Sequence, residues 1–166
     1  MKNTTRGIRN NNPLNIRHSK DRWLGADVTQ TDTSFVQFKG MVFGYRAAWK
    51  ILMTYYRTLS REGTFFTVRN IVSRWAPPSE NPTESYIRKV LLMTGIGGQE
   101  NLLPPDNVDG YGKLSRLLAA MTVMENGILP QKVDTEAICK GYKLAFPQNA
   151  DALDRWLEEA DEYRNW

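Results

Sequence analysis

At 166 residues, 41% hydrophobic and 24% charged, the chain suits one domain around one core, and it has no run of about 18 apolar residues that could span a membrane. A single cysteine, Cys139, excludes an intramolecular disulfide and a cysteine-based metal cluster; a single histidine, His18, leaves a zinc hydrolase without its usual ligands, so no metal or other cofactor is expected. Residues 150–166 hold six acids against Arg155 and Arg164, a charge of −4 that leaves +8 on the rest of a chain whose net charge is +4, and a basic body favours an anionic partner: nucleic acid, anionic lipid or an acidic cell wall.

The first forty residues read as an irregular, β-containing lobe. Asn10-Asn11-Asn12-Pro13 signals a loop, because the residue before a proline is pushed away from helix. Alternation over Asp27–Asp32 and Phe35–Phe38 suggests a short hairpin. From Gly44 the period turns helical: Tyr45, Ala48, Trp49, Leu52, Tyr56 and Leu59 share one face of a long helix that runs to Gly63. Thr67 is placed to cap a shorter helix with Val68, Ile71, Val72 and Trp75 as its inner stripe, stopped by Pro77-Pro78. Thr83 is expected to cap the next, whose Tyr86, Ile87, Val90 and Leu91 face inward before Gly95. Leu114, Leu117, Leu118 and Met121 mark a helix that reaches Asn126 and ends at Gly127, and helices over about 134–146 and 150–166 close the chain. The expected fold is therefore mainly α: a helical bundle over 41–146, a small irregular or β lobe over 1–40, and an acidic terminal segment over 147–166. Within it Cys139 reads as a small core residue rather than the nucleophile of a pair with His18.

Carboxylates cut glycosidic bonds when an apolar setting keeps one of them protonated. Glu125 continues the apolar stripe of Leu118 and Met121, so its carboxyl is expected to be desolvated, and the nearby helix C-terminus disfavours its ionisation further. Curling out to solvent is its ordinary alternative. Glu62, Glu100, Asp106 and Asp109 lie in polar turns, and Glu84 and Glu136 in first helical turns, where acids need no further role. Glu80 stands beside Trp75 in a rigid, proline-rich loop and is the reserve candidate.

Arg6-Gly7-Ile8-Arg9-Asn10-Asn11-Asn12-Pro13-Leu14-Asn15-Ile16-Arg17, Trp23-Leu24-Gly25, Phe35-Val36-Gln37-Phe38, Gly44-Tyr45-Arg46-Ala47 and Arg74-Trp75-Ala76-Pro77-Pro78-Ser79-Glu80-Asn81-Pro82-Thr83 resemble a family of phage proteins that comprises virion components and lytic enzymes. The order of these motifs is also similar to that of lysozyme-like glucosaminidases of the autolysin and flagellar type. There a helix ending in Glu-Ser-Gly precedes an Asn-Asn-x-x-x-Ile segment, a Phe-x-x-Tyr strand, a Gly-Ile helix start and a Tyr-Ala-x-x-x-x-Tyr segment. Here Asn11 to Ile16, Phe35 to Phe38, Gly44-Tyr45 and Trp75-Ala76 with Tyr86 match the later pieces. Met124-Glu125-Asn126-Gly127 stands for the first, displaced to the C-terminal side, with Asn126 in place of serine.

The resemblance implies a circularly permuted lysozyme-like fold that cleaves bacterial peptidoglycan, as a hydrolase or a lytic transglycosylase, with Glu125 as general acid/base. A transglycosylase needs one such group, since the sugar's own 6-hydroxyl attacks; Glu80 and Asp32 are the reserves for a second carboxylate. Asn11, Asn12 and Asn15 would bond N-acetyl groups, and Trp23, Trp75 and Tyr86 would offer faces to sugar rings, Trp23 being the best placed. Met1 to Arg6 is basic with no apolar stretch behind it, so no secretory signal is read; a virion or a holin-type pore would carry the protein to the wall from the host cytoplasm. The competing reading is a non-catalytic virion component that docks to other virion proteins through its C-terminal helix and Trp166. Nucleic-acid binding is not expected, because the arginines at 6, 9, 17 and 22 come with no DNA-binding motif.

Overall fold

A computed structural model describes residues 4–79 and 82–164, with side chains to residue 161. Its helices are α1 (Arg6–Arg9), α2 (Met41–Arg61), α3 (Val68–Trp75), α4 (Thr83–Thr94), α5 (Tyr111–Asn126), α6 (Thr135–Ala145) and α7 (Ala150–Arg164), with short 3₁₀ turns before α5, α6 and α7. The chain is mainly α, and no helix among the described residues is long and apolar enough to cross a membrane.

Local chemistry accounts for several boundaries. The Thr67 hydroxyl accepts from Asn70 N at 3.1 Å and caps α3, and the Asp134 carboxylate accepts from Ala137 N at 3.0 Å and caps α6. Gly95 and Gly127 end α4 and α5 at φ of 69° and 60°, the left-handed conformation in which glycine carries no Cβ penalty. Thr83 departs from its expected role: Pro82 occupies the cap position of α4, and the Thr83 hydroxyl donates to Ala76 O at 2.6 Å, tying α4 to the end of α3.

The core runs without interruption from Leu14 in the lobe to Leu153 on α7. Its centre is aromatic. Trp49 on α2 is fully buried, stacks on Tyr111 of α5 at 5.6 Å and meets Tyr142 of α6 edge-on at 4.9 Å, while its indole N–H donates to Ile138 O. The α2–α6 pair packs so closely that a Cβ on Gly141 would stand 2.9 Å from the Arg46 amide nitrogen and 3.0 Å from Val42 O.

The expected hairpin is replaced by something looser, and no strand forms among the described residues; two isolated bridges, Arg17 to Phe35 and Ala26 to Phe38, stand in its place. Residues 34–38 exchange backbone hydrogen bonds with Asn10, Ile16, His18 and Asp27 rather than pairing along 27–32. Side chains take the place of a ladder. Gln37 Oε1 accepts from Thr31 N, Gln30 Oε1 accepts from Gln37 N, and Asp32 is filled by the Arg6 guanidinium, the Asn10 amide and the backbone N–H groups of Ser34 and Phe35. Within the lobe expected to be irregular or β, residues 6–9 make one helical turn.

Candidate active site

The last turn of α5 meets the first motif of the chain. Asn126 is 5% exposed; its amide donates to Pro13 O at 2.8 Å and to Thr122 O at 3.0 Å, and its Oδ1 accepts from the Thr5 hydroxyl at 2.9 Å. Gly7 is required at this contact, because a Cβ there would come 2.5 Å from Asn126 Oδ1 and 2.9 Å from Asn12 O. Asn11 and Asn15 both adopt φ of 51°, which asparagine tolerates better than most residues, and they turn the chain tightly around Pro13 and Leu14. The turn sets Asn15 beside Glu125, with its amide nitrogen 3.4 Å from Glu125 Oε2.

Glu125 and Asn15 share a cleft of about 410 Å³ whose walls include Trp23, Phe35, Tyr55 and Trp75, with Arg17 and Asp21 also on the lining. Glu125 is half-buried. Burial holds its carboxyl above the usual carboxylate range, opposed by the Asn15 hydrogen bond and the Arg17 charge. Desolvation favours the neutral acid, while an amide and a guanidinium stand ready for the anion. That combination suits a group that gives up a proton and takes it back. Trp75 is anchored by donation from its indole N–H to Leu14 O at 3.1 Å and meets Tyr55 edge-on at 5.9 Å.

Buried polar atoms without partners are few in native proteins and call for an explanation. Among the described residues they are Asn15 Oδ1, Trp23 Nε1, Tyr86 Oη and Arg46 Nε. Asn15 and Trp23 line the cleft; Tyr86 lies close enough for the Glu125 charge, together with its own burial, to push its phenol up. Asn15 Oδ1 and Trp23 Nε1 are both sealed from solvent, and Asn15 Oδ1 lies on the side of Gly7, 2.9 Å from where a Cβ there would stand.

The sequence-predicted residues thus divide. Glu125, Asn15, Trp23 and Trp75 come together at the cleft. Asn11 and Asn12 are absent from the cleft lining and tied into the lobe: the Asn11 amide donates to Phe38 O, and Asn12, fully buried, donates to Ile16 O and Val36 O while accepting from Ile16 N. Tyr86 is 8% exposed and absent from the cleft lining, so it backs the Glu125 neighbourhood rather than offering a ring face. Asp32 is unsuited to act as a base, because Arg6 first, then Phe35 N–H and the Asn10 amide, hold its carboxyl far below the usual range. Glu80 and Trp166 lie outside the described residues. The His18 ring contacts the carbonyl of Asp32 in the lobe, whereas Cys139 lies half-buried on α6 against the core.

Sequence reasoning passed over Tyr55, Ile51, Arg17, Phe35 and Asp21, all on the cleft lining. Ile51 and Tyr55 were detectable as an i, i+4 pair beside the core stripe of α2, a second apolar stripe that the helix turns toward the cleft. Asp21, whose Oδ2 accepts from the Ser19 hydroxyl, left no signal in its polar segment. No three described His, Cys, Asp or Glu residues stand together as metal ligands.

No protein-family model matches the chain. The chain is 39% identical over 144 residues to Protein P5 of Pseudoalteromonas phage PM2, an alignment that covers 85% of this chain and 82% of the relative. Identity at that level over most of both chains places this protein in the phage family of Protein P5.

Proposed function

We propose that this protein is a peptidoglycan-cleaving glycosidase of the lysozyme-like kind, with Glu125 as its general acid/base. The observation that carries the reading is Glu125 itself: a carboxyl whose pKa burial raises, on the wall of a cleft lined with aromatic rings. In the first step Glu125 protonates the glycosidic oxygen, and the carboxylate it becomes is stabilised by Arg17 and by the Asn15 amide. The anion then takes a proton from the attacking group. That group is water in a hydrolase, where Asp21 is the second carboxylate on the lining. In a transglycosylase it is the 6-hydroxyl of the same sugar, and no second carboxylate is needed. Trp23, Tyr55 and Trp75 hold the sugar rings by their faces. A virion or holin-type route brings the protein to the wall.

A second reading, a non-catalytic virion component, draws on a different surface. Leu92 and Met93, neighbours on α4, are 79% and 40% exposed, an apolar pair that would suit contact with another virion protein.

Release of soluble fragments from purified peptidoglycan, compared between the wild type and a folded Glu125→Gln variant, separates these readings. The expected outcome is activity that falls by about 10² or more in the variant, the usual weight of a general acid/base. Anhydro-muramic ends on the fragments identify a transglycosylase, and reducing ends a hydrolase. Activity that survives in Glu125→Gln eliminates Glu125 and directs attention to Glu80 and Asp21. Wild-type inactivity across several wall types favours the virion component.

A further inference from the structure

The cleft opens beside a second, larger groove of about 890 Å³, and the two share Asp21, Trp23, Ile51 and Tyr55. Arg22, Arg46, Lys50 and Arg57 line this groove, against Asp21 and Asp106 as its acids. Arg46, Lys50 and Arg57 follow one stripe of α2 at spacings of four and seven, and α2 contains no acidic residue at all. Like charges four apart on a helix repel, and an i, i+4 acid would have relieved them. None of the four cations forms an ion pair among the described residues. Lys50 has only the ring of Phe146, at 5.4 Å, and Arg46 Nε is buried without a hydrogen-bond partner. Burial lowers the pKa of Lys50, and its neighbours Arg46 and Arg57 lower it further; burial lowers that of Arg46. Unpaired, mutually repelling cations that line one groove are relieved by a bound anion.

We infer that this groove is the subsite for the carboxylate-bearing peptide stems of peptidoglycan, continuous with the sugar cleft, so that the protein recognises stem-substituted glycan rather than bare glycan. The inference rests on the proposed function, which supplies the glycan strand in the adjoining cleft. The stems are the anionic part of that polymer, they hang from every second sugar, and a groove that starts at the cleft wall meets the stem nearest the bound bond. Guanidinium and ammonium groups recognise carboxylates through charge-assisted hydrogen bonds.

The test measures binding to the full chain carrying Glu125→Gln, which prevents turnover under the proposed reading. Calorimetric titrations compare soluble glycan fragments with intact tripeptide stems, the same fragments stripped of stems by an amidase, and a phosphate-bearing wall polymer. Stemmed fragments are expected to bind on the order of tenfold tighter than stripped ones, with an advantage that shrinks as salt rises. Adding Lys50→Gln and Arg57→Gln should bring stemmed fragments to the stripped level while leaving the stripped affinity unchanged. Arg57→Gln alone, at an exposed position without ring contact, gives the same direction where the Lys50 change disturbs Phe146. Equal binding of stemmed and stripped fragments overturns the inference and leaves the glycosidase reading intact. A stem preference that survives the substitutions overturns the location, and a preference for the phosphate polymer overturns the ligand. Failure to bind any glycan removes the glycosidase reading and the inference with it.

Discussion

Glu125, the acid of the proposed function, also carries a stability consequence. Its folded carboxyl titrates above the ordinary range because burial penalises the anion. A group with a raised folded pKa contributes stability that is fully present below its unfolded pKa and is lost as pH rises through the folded one. Glu125→Gln carries no charge at any pH. The variant's melting temperature relative to the wild type should therefore climb as pH rises from the acid range and level off once wild-type Glu125 is ionised. Thermal melts at a series of pH values check this, and a constant difference would mean that the carboxyl is not desolvated. Asp32 has the opposite sign, since Arg6 and its other donors hold it low, and that stabilisation is lost as pH falls. The two acids shift in opposite directions because one faces a half-buried cleft and the other a ring of donors.

Among the helices, α2 does the most. One of its faces buries Tyr45, Ala48, Trp49 and Leu52 in the core, a neighbouring stripe turns Ile51 and Tyr55 to the cleft, and a third presents Arg46, Lys50 and Arg57 to the basic groove. Its position depends on close approach to α6 at Gly141. Gly141→Ala would push a methyl against the backbone of Val42 and Arg46, which cannot swing aside as a flexible side chain can. The cost should be about 1–3 kcal/mol, read as a melting-temperature drop of roughly 2–10 °C, with the α2-borne cleft residues displaced and activity reduced alongside. An unchanged melting temperature would show that the two helices separate without cost.

Across the chain as a unit, the first motif and the end of α5 are far apart in sequence and in contact in space. Asn126 joins them by accepting from Thr5 and donating to Pro13 O. Asn126→Ala leaves the Pro13 carbonyl without that donor, at a cost of about 1–3 kcal/mol, and frees the Asn15 turn that faces Glu125. Denaturant unfolding should report the stability loss, and under the proposed function peptidoglycan cleavage should fall with it. Preserved stability in this variant would show that the N-terminal segment docks through other contacts.

Helix positions, the cap at Thr67, the glycine stops and the inner stripes were legible in the sequence, because capping and 3.6-residue periodicity are set by neighbours a few residues away. The apolar setting of Glu125 was legible for the same reason: Leu118 and Met121 lie on its own helix. The lobe was legible only as irregular, since its hydrogen bonds go to side chains and to segments not adjacent in sequence. The roles of the asparagines were not legible. Asn12 and Asn15 stand three residues apart in one motif, yet one is sealed inside the lobe and the other reaches Glu125, 110 positions away. The cleft wall and the basic groove belong to the same class, since each gathers residues from the lobe, α2 and later segments. Local pattern settles which face of a helix is apolar; what that face, or the charged one beside it, meets is settled by packing between distant segments.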